Sequence, residues 1–163
     1  MSVKATKWWF DEMKFELIFL KTRQELQGID LDVREAYNHS ISGVAALTLK
    51  RKDFFLDGLD LDFDIGYVVG KYGLHDTAMN RYDWDGNALP PVSPFGGEQN
   101  NFPSDGHNRS NELTSKLNMG YTIDMHHSVN FNAYFDRNSL RPNDPLMDKA
   151  LGFKSNFPSK MNT

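Results

Sequence analysis

Three short stretches carry residue types that could do chemistry. Asp60, Asp62 and Asp64 stand at every second position, His126 and His127 are adjacent, and Asp83-Trp84-Asp85-Gly86-Asn87 sets two carboxylates and an amide around a glycine. Alternating carboxylates invite a calcium reading, because hard cations take oxygen ligands. An EF-hand loop opening at Asp60 would need glycine sixth and glutamate twelfth. Those places hold Ile65 and Lys71, so the expectation is a row of carboxylates in water, paired with Lys or Arg on neighbouring strands. Adjacent residues near a strand end point to opposite faces, so His126 and His127 cannot easily share one ion. They are expected in a solvated turn. In Asp83–Asn87 the Asp-Gly and Gly-Asn steps are turn formers before they are ligands. No metal or cofactor is expected.

Nucleophilic chemistry finds no support either. The chain of 163 residues has no cysteine, and its serines lack the strand-turn-helix setting of a nucleophile elbow. No catalytic constellation emerges, and the chain is expected not to be an enzyme. A formal net charge of -4 without a run of basic residues argues against nucleic acid as a partner. Binding surfaces concentrate on loops, which leaves four aromatics of one long loop, Tyr82, Trp84, Phe95 and Phe102, as candidate ligand contacts.

The elements that would position these residues are strands. From Leu59 to Tyr72 (LDLDFDIGYVVGKY) the odd positions carry Leu59, Leu61, Phe63, Ile65, Tyr67 and Val69. The even positions carry Asp60, Asp62, Asp64, Gly66 and Gly70, with Val68 the apolar exception. A strand sends alternate side chains to opposite faces, so this segment has one apolar and one acidic face. It is long enough to cross a bilayer, which takes about 9–11 strand residues.

The same period recurs. Glu12–Thr22 alternates through Met13, Phe15, Leu17 and Phe19, with a helix through Met13, Leu17 and Leu20 as the competing reading. Ser40–Arg51, Asn111–Asp124 and Ser128–Asp136 complete five long strands. Asp57-Gly58 marks a tight turn, and Met125-His126-His127 another. Residues 23–38, 73–108 and the tail 137–163 show no period and are expected as loops. The fold class expected is all-β, an antiparallel up-and-down meander. Long connections on one side and short ones on the other match a transmembrane β-barrel. A small soluble antiparallel β-sheet ligand-binding protein, lipocalin-like, is the alternative.

No run of about 18 apolar residues is present, so no transmembrane helix is expected. Asp11, Glu12, Lys14 and Glu16 interrupt any signal-peptide apolar region after Lys4 and Lys7. Trp8, Trp9 and Phe10 form a cluster suited to a membrane interface or to a core edge.

Particular stretches resemble a known family. RYDWDGNALPPVSPFGGE (Arg81–Glu98), LRPNDPLMDKALGFKSNFPSK (Leu140–Lys160) and the strand-turn-strand KLNMGYTIDMHHSVNFNAYF (Lys116–Phe135) resemble TonB-dependent outer-membrane receptors. The likeness is to the subgroup that carries a regulatory-like domain before its plug, and it extends from Lys7 onward. It implies that residues 1–163 are an interior part of a receptor β-barrel, without plug, signal peptide or terminal strand. It further implies outer-membrane localisation and contact with outer-membrane lipid and with the rest of the barrel and plug. TonB would be reached only through that missing plug region.

Overall fold

The computed structural model describes residues 1–6, 9–91, 93–99, 102–154 and 157–162. In chain order the elements are β1 (Ser2–Thr6), β2 (Glu12–Glu25), β3 (Tyr37–Arg51), β4 (Leu59–Asp76), β5 (Arg81–Tyr82), β6 (Ala88–Leu89), β7 (Ser104–Asp105), β8 (Asn108–Thr122), β9 (Ser128–Arg141), α1 (Pro145–Leu151) and β10 (Ser159–Asn162). The main sheet runs β1-β2-β3-β4-β8-β9-β10, entirely antiparallel, with β7 added to the end of β4. β5 and β6 form a separate hairpin. The chain is an all-β, up-and-down meander whose five long strands are β2, β3, β4, β8 and β9.

Register preserves the parity seen in the sequence. Met13, Leu49, Phe63, Leu117 and Ala133 stand side by side across five strands. Every pairing among these strands joins odd to odd and even to even, so one sheet face collects Leu47, Ile65, Phe15 and Phe135 while the other collects Thr48, Asp64, Glu16 and Asp136. A slip of one residue would exchange the faces. β10 breaks the rule: Lys160 lies opposite Ser139 and Met161 opposite Asn138.

Neither face is covered by a second layer among the described residues. Among the described residues the buried apolar side chains are Ala36, Ala78 and Pro103, all in loops, while Phe19 is 81% exposed on the sheet. The accessible surface is 11506 Å². A compact monomer of 18.7 kDa would expose about 8,300 Å². The difference is the two open faces of one sheet. Its edges are open as well: β1 pairs only with Glu12–Glu16 of β2, and β10 only with Arg137–Leu140 of β9.

Several segments differ from the sequence reading. Residues 2–6, too few to show a period, pair with the start of β2. The region 73–108 is not structureless: β4 continues to Asp76, β5 and β6 make a hairpin, and β7 adds to β4. The tail is not all loop, because β9 continues to Arg141 and is followed by α1 and β10. At these places the chain leaves the apolar band and alternation fades, while backbone pairing continues. The competing helix at Glu12–Thr22 is absent, since β2 pairs with β3 along its whole length.

Where β7 closes on β4, backbone meets backbone. A Cβ at Gly73 would lie 1.7 Å from the Gly106 carbonyl oxygen, and Gly106 donates its N–H to Leu74 O. Gly73→Ala is expected to destabilise the fold by about 1–3 kcal/mol or more, as overpacking against backbone does. Denaturant unfolding compared with Gly152→Ala measures it. That second glycine has open space around it and reports only the cost of its positive φ.

Candidate functional site

The long connections fold together into a cap at one end of the sheet, and buried carboxyl groups hold it. The Glu98 side chain, 2% exposed, accepts the backbone N–H groups of Arg34, Glu35 and Ala36. Asp76 is fully buried at the end of β4 and accepts the N–H groups of Glu98 and Gln99. Asp144 accepts from the Ser104 hydroxyl at 2.6 Å, from Asp105 N–H and from Met147 N–H, which caps α1. Loop backbone taken out of water must find partners. Here acidic side chains supply them in place of a hydrophobic core.

The four aromatic candidates divide between two parts of this cap. The Arg34 guanidinium lies 3.8 Å over the Tyr82 ring, and Trp84 Nε1–H donates to Ile29 O, so both aromatics pin the hairpin to loop 26–36. Phe95 faces α1 instead, with Lys149 Nζ 5.6 Å from its ring centre. Phe102 lies against Gly97 through its backbone. Trp84 remains 61% exposed. The quartet is therefore brought to one end of the sheet but not to one pocket. A groove of about 320 Å³ beside it is lined by Gln27, Ile29, Asp30, Leu31, Val33 and Glu98.

On the odd-numbered face below the cap, Tyr37, His39, His75, His107 and Asp105 gather. Tyr37 and His75 rings lie 4.9 Å apart and His39 and His107 rings 5.9 Å apart. Arg23 sits 3.8 Å over Tyr37. The His75 ring hydrogen bond and the nearby His107 charge hold the Asp105 carboxyl below the usual carboxylate range. A carboxyl with a lowered folded-state pKa adds stability above its unfolded pKa, and that stability is lost as pH falls through the folded value. Cap stability is thus expected to decline below about pH 4. Following amide exchange of β7 against pH should show a smaller decline in His75→Gln.

The remaining sequence candidates serve the fold. Asp62 pairs with Lys50 at 3.1 Å and Asp64 accepts from the Thr48 hydroxyl at 2.7 Å. Asp60 takes a 3.4 Å bond from the Asp53 N–H in turn 52–58, where Gly58 donates to Asp53 with its φ at +79°. Asp83 accepts both the backbone and side-chain N–H of Asn87, which closes the hairpin and lowers its pKa. Asp124 accepts the N–H groups of His126 and His127 and one ring nitrogen of His127, which lowers its pKa in turn. No group of three metal-ligating side chains is found among the described residues.

Trp8 lies outside the described residues. Trp9 and Phe55 are exposed at the short-turn end, where the Phe54 ring stacks on Phe10 at 6.4 Å and meets Phe55 tilted at 4.2 Å. Sequence reasoning missed the cap carboxyls and α1. The helix did carry a local signal, Asp144 as N-cap, Pro145 at the first position and Gly152 in the left-handed conformation after the end. The partners of the Glu98 side chain lie more than sixty residues away, so no local pattern reports them. Comparison of the chain with protein-family models, with curated proteins and with solved structures found no match.

Proposed function

We propose that the chain is a section of the wall and external loops of a TonB-dependent receptor barrel in the outer membrane, a structural part of a nutrient-uptake channel. The observation that carries this reading is the course of the apolar band across the odd-numbered face. In β4 the band runs from Leu59 to Val69, with Lys71 beyond it. Those ten residue steps measure roughly 34 Å along the strand and about 26 Å vertically at a 40° tilt, the height of the apolar belt of an outer-membrane barrel.

The band also climbs. In β2 it runs from Met13 to Phe19, and the registers carry these two rows to Ala133 and Ser139 of β9. In β9 the band instead runs from Val129 to Phe135, four residues lower at both limits. A shift of four residues over four strand spacings is about 14 Å in about 19 Å, an inclination of roughly 35°. Strands of transmembrane barrels tilt by about 35–45° from the membrane normal. The lower limit makes its drop by β4, whose Leu59 shares a row with Val129, and the upper limit makes its drop after β4, whose Val69 shares a row with Phe19.

Other features agree. The even-numbered face has Gly66, Gly70 and Gly120 close under Thr114, Ser110 and Asn130, small residues that let a sheet curl toward a polar lumen. The cap joins long connections at one end, with Trp9, Phe10, Phe54 and Phe55 at the other. The open edges of β2 and β9 call for further barrel strands, since unpaired strand edges are not tolerated in lipid. Partners on this reading are outer-membrane lipid, the remaining barrel and the plug through which TonB is engaged. Because the chain has no cysteine, single cysteines carrying a nitroxide can be placed at will along β8. In phospholipid vesicles, labels at Leu113, Leu117 and Tyr121 should be relaxed by oxygen and those at Thr114, Asn118 and Thr122 by a water-soluble nickel chelate. Equal access of the chelate to both sets would overturn the reading.

A further inference from the structure

The upper limit of the apolar band is drawn in cations. Lys21 follows Phe19, Lys71 follows Val69, and Arg137 follows Phe135 at the next odd position of each strand. Within this border Lys71, Arg109 and Arg141 stand directly opposite one another on β4, β8 and β9. Like charges in direct cross-strand register repel, with neighbouring side chains only about 5 Å apart. All three side chains are exposed, and among the described residues no carboxylate forms an ion pair with any of them. The arrangement is unfavourable unless an anion sits on it.

Two adjoining grooves supply the seat. One, about 430 Å³, is lined by Phe19 and Val69 from the row below and by Ile41, Lys71, Arg109 and Arg141 from the cation row itself. The other, about 250 Å³, is lined by Tyr67, Leu113 and Arg137, which share one row, and by Arg141 and Lys160. Arg141 and Asn111 line both. Apolar floor next to cationic rim is the complement of an anionic amphiphile. The opposite limit of the band differs: among the described residues its one cation, Arg51, is 3.8 Å from Asp11, and Asp57 stands beyond Leu59. Along the border of the odd-numbered face, unpaired cations therefore stand at the cap-side limit among the described residues.

We infer that this cationic border binds the phosphate groups of anionic lipids in the leaflet on the cap side, with their acyl chains against the apolar band. The inference rests on the membrane-wall reading and adds to it a lipid class and a leaflet. Each Lys or Arg facing an anionic surface contributes severalfold in binding, so the row as a whole sets lipid preference as well as depth.

The test uses the full chain, wild type and a Lys71→Ser/Arg109→Ser/Arg141→Ser variant, with vesicles of phosphatidylcholine alone or mixed with phosphatidylglycerol. Wild type should favour the anionic vesicles by tenfold or more in partitioning. The variant should lose most of that preference while partitioning into neutral vesicles unchanged, and raised ionic strength should mimic the substitution. In a neutral detergent the variant should unfold at a higher temperature than wild type, since repulsion has been relieved. A control set on the other face, Lys14→Ser/Lys50→Ser/Lys116→Ser, should keep the preference. Wild type that enters both vesicles equally overturns the lipid inference and leaves the wall reading standing. Wild type that enters neither overturns both. Millimolar inorganic phosphate that abolishes the preference would assign the row to a soluble anion and overturn the lipid.

Discussion

Leu117→Arg is expected to destabilise the sheet in a bilayer by about 2–4 kcal/mol, while Asn118→Arg, one residue along, is expected to be nearly neutral. Leu117 lies between Phe63 and Ala133 in the middle of the apolar band. An arginine there must either hold its charge in hydrocarbon or drag water and headgroups to mid-depth. Asn118 lies on the opposite face, directly across from Asp62. An arginine there meets a carboxylate whose second oxygen, Oδ1, has no partner, and it stays in water. Urea unfolding in phosphatidylcholine vesicles gives both values. The contrast separates membrane from soluble readings because in water the exposed sheet face would accept arginine at either site. Similar penalties for the two substitutions would exclude a lipid-facing odd side.

The second large effect is expected in the cap. Glu98→Ala removes the acceptor for three backbone N–H groups at once, those of Arg34, Glu35 and Ala36. Each buried donor left without a partner costs about 1–3 kcal/mol. Loop 26–36 and loop 77–103 would then open to water instead of carrying that cost. The expected result is rapid amide exchange and proteolytic cleavage in both loops, with the β3–β4 and β4–β8 ladders still protected. Glu98→Gln keeps one carbonyl oxygen and should fall between alanine and wild type. Protection unchanged in Glu98→Ala would mean that the cap is held by its aromatic contacts, Arg34 on Tyr82 and Trp84 on Ile29.

The cap also alters what the aromatic loop residues can do. Tyr82 has Arg34 over its ring and Trp84 gives its indole N–H to Ile29 O, so both help hold the hairpin to its neighbour loop, while Trp84 stays 61% exposed. The sequence reading treated them as candidate contacts because loops carry function. In the structure they also form part of the loop framework, and a groove lined by Gln27, Ile29, Leu31 and Glu98 lies beside the loops.

By itself the sequence determined the strands and their faces. Alternation of period two survives wherever one side of a strand is apolar, as from Leu59 to Val69 or from Leu113 to Tyr121, because successive side chains point to opposite faces and only one face is apolar. It also determined the tight turns, since Gly58 and the Asp124-His127 turn are local structures closed within a few residues. Tertiary structure alone decided three things. It decided the registers, which set Lys71 beside Arg109 and Arg141 and so turned three scattered basic residues into one row. It decided the slope of the apolar band, which is a relation among five strands and has no trace in any one of them. It decided the cap, where Glu98, Asp76 and Asp144 bind backbone groups that are far away in the chain or carry no side-chain signature. A hydrogen bond to a backbone N–H is indifferent to the identity of the residue that owns it, and that is why the sequence is silent there.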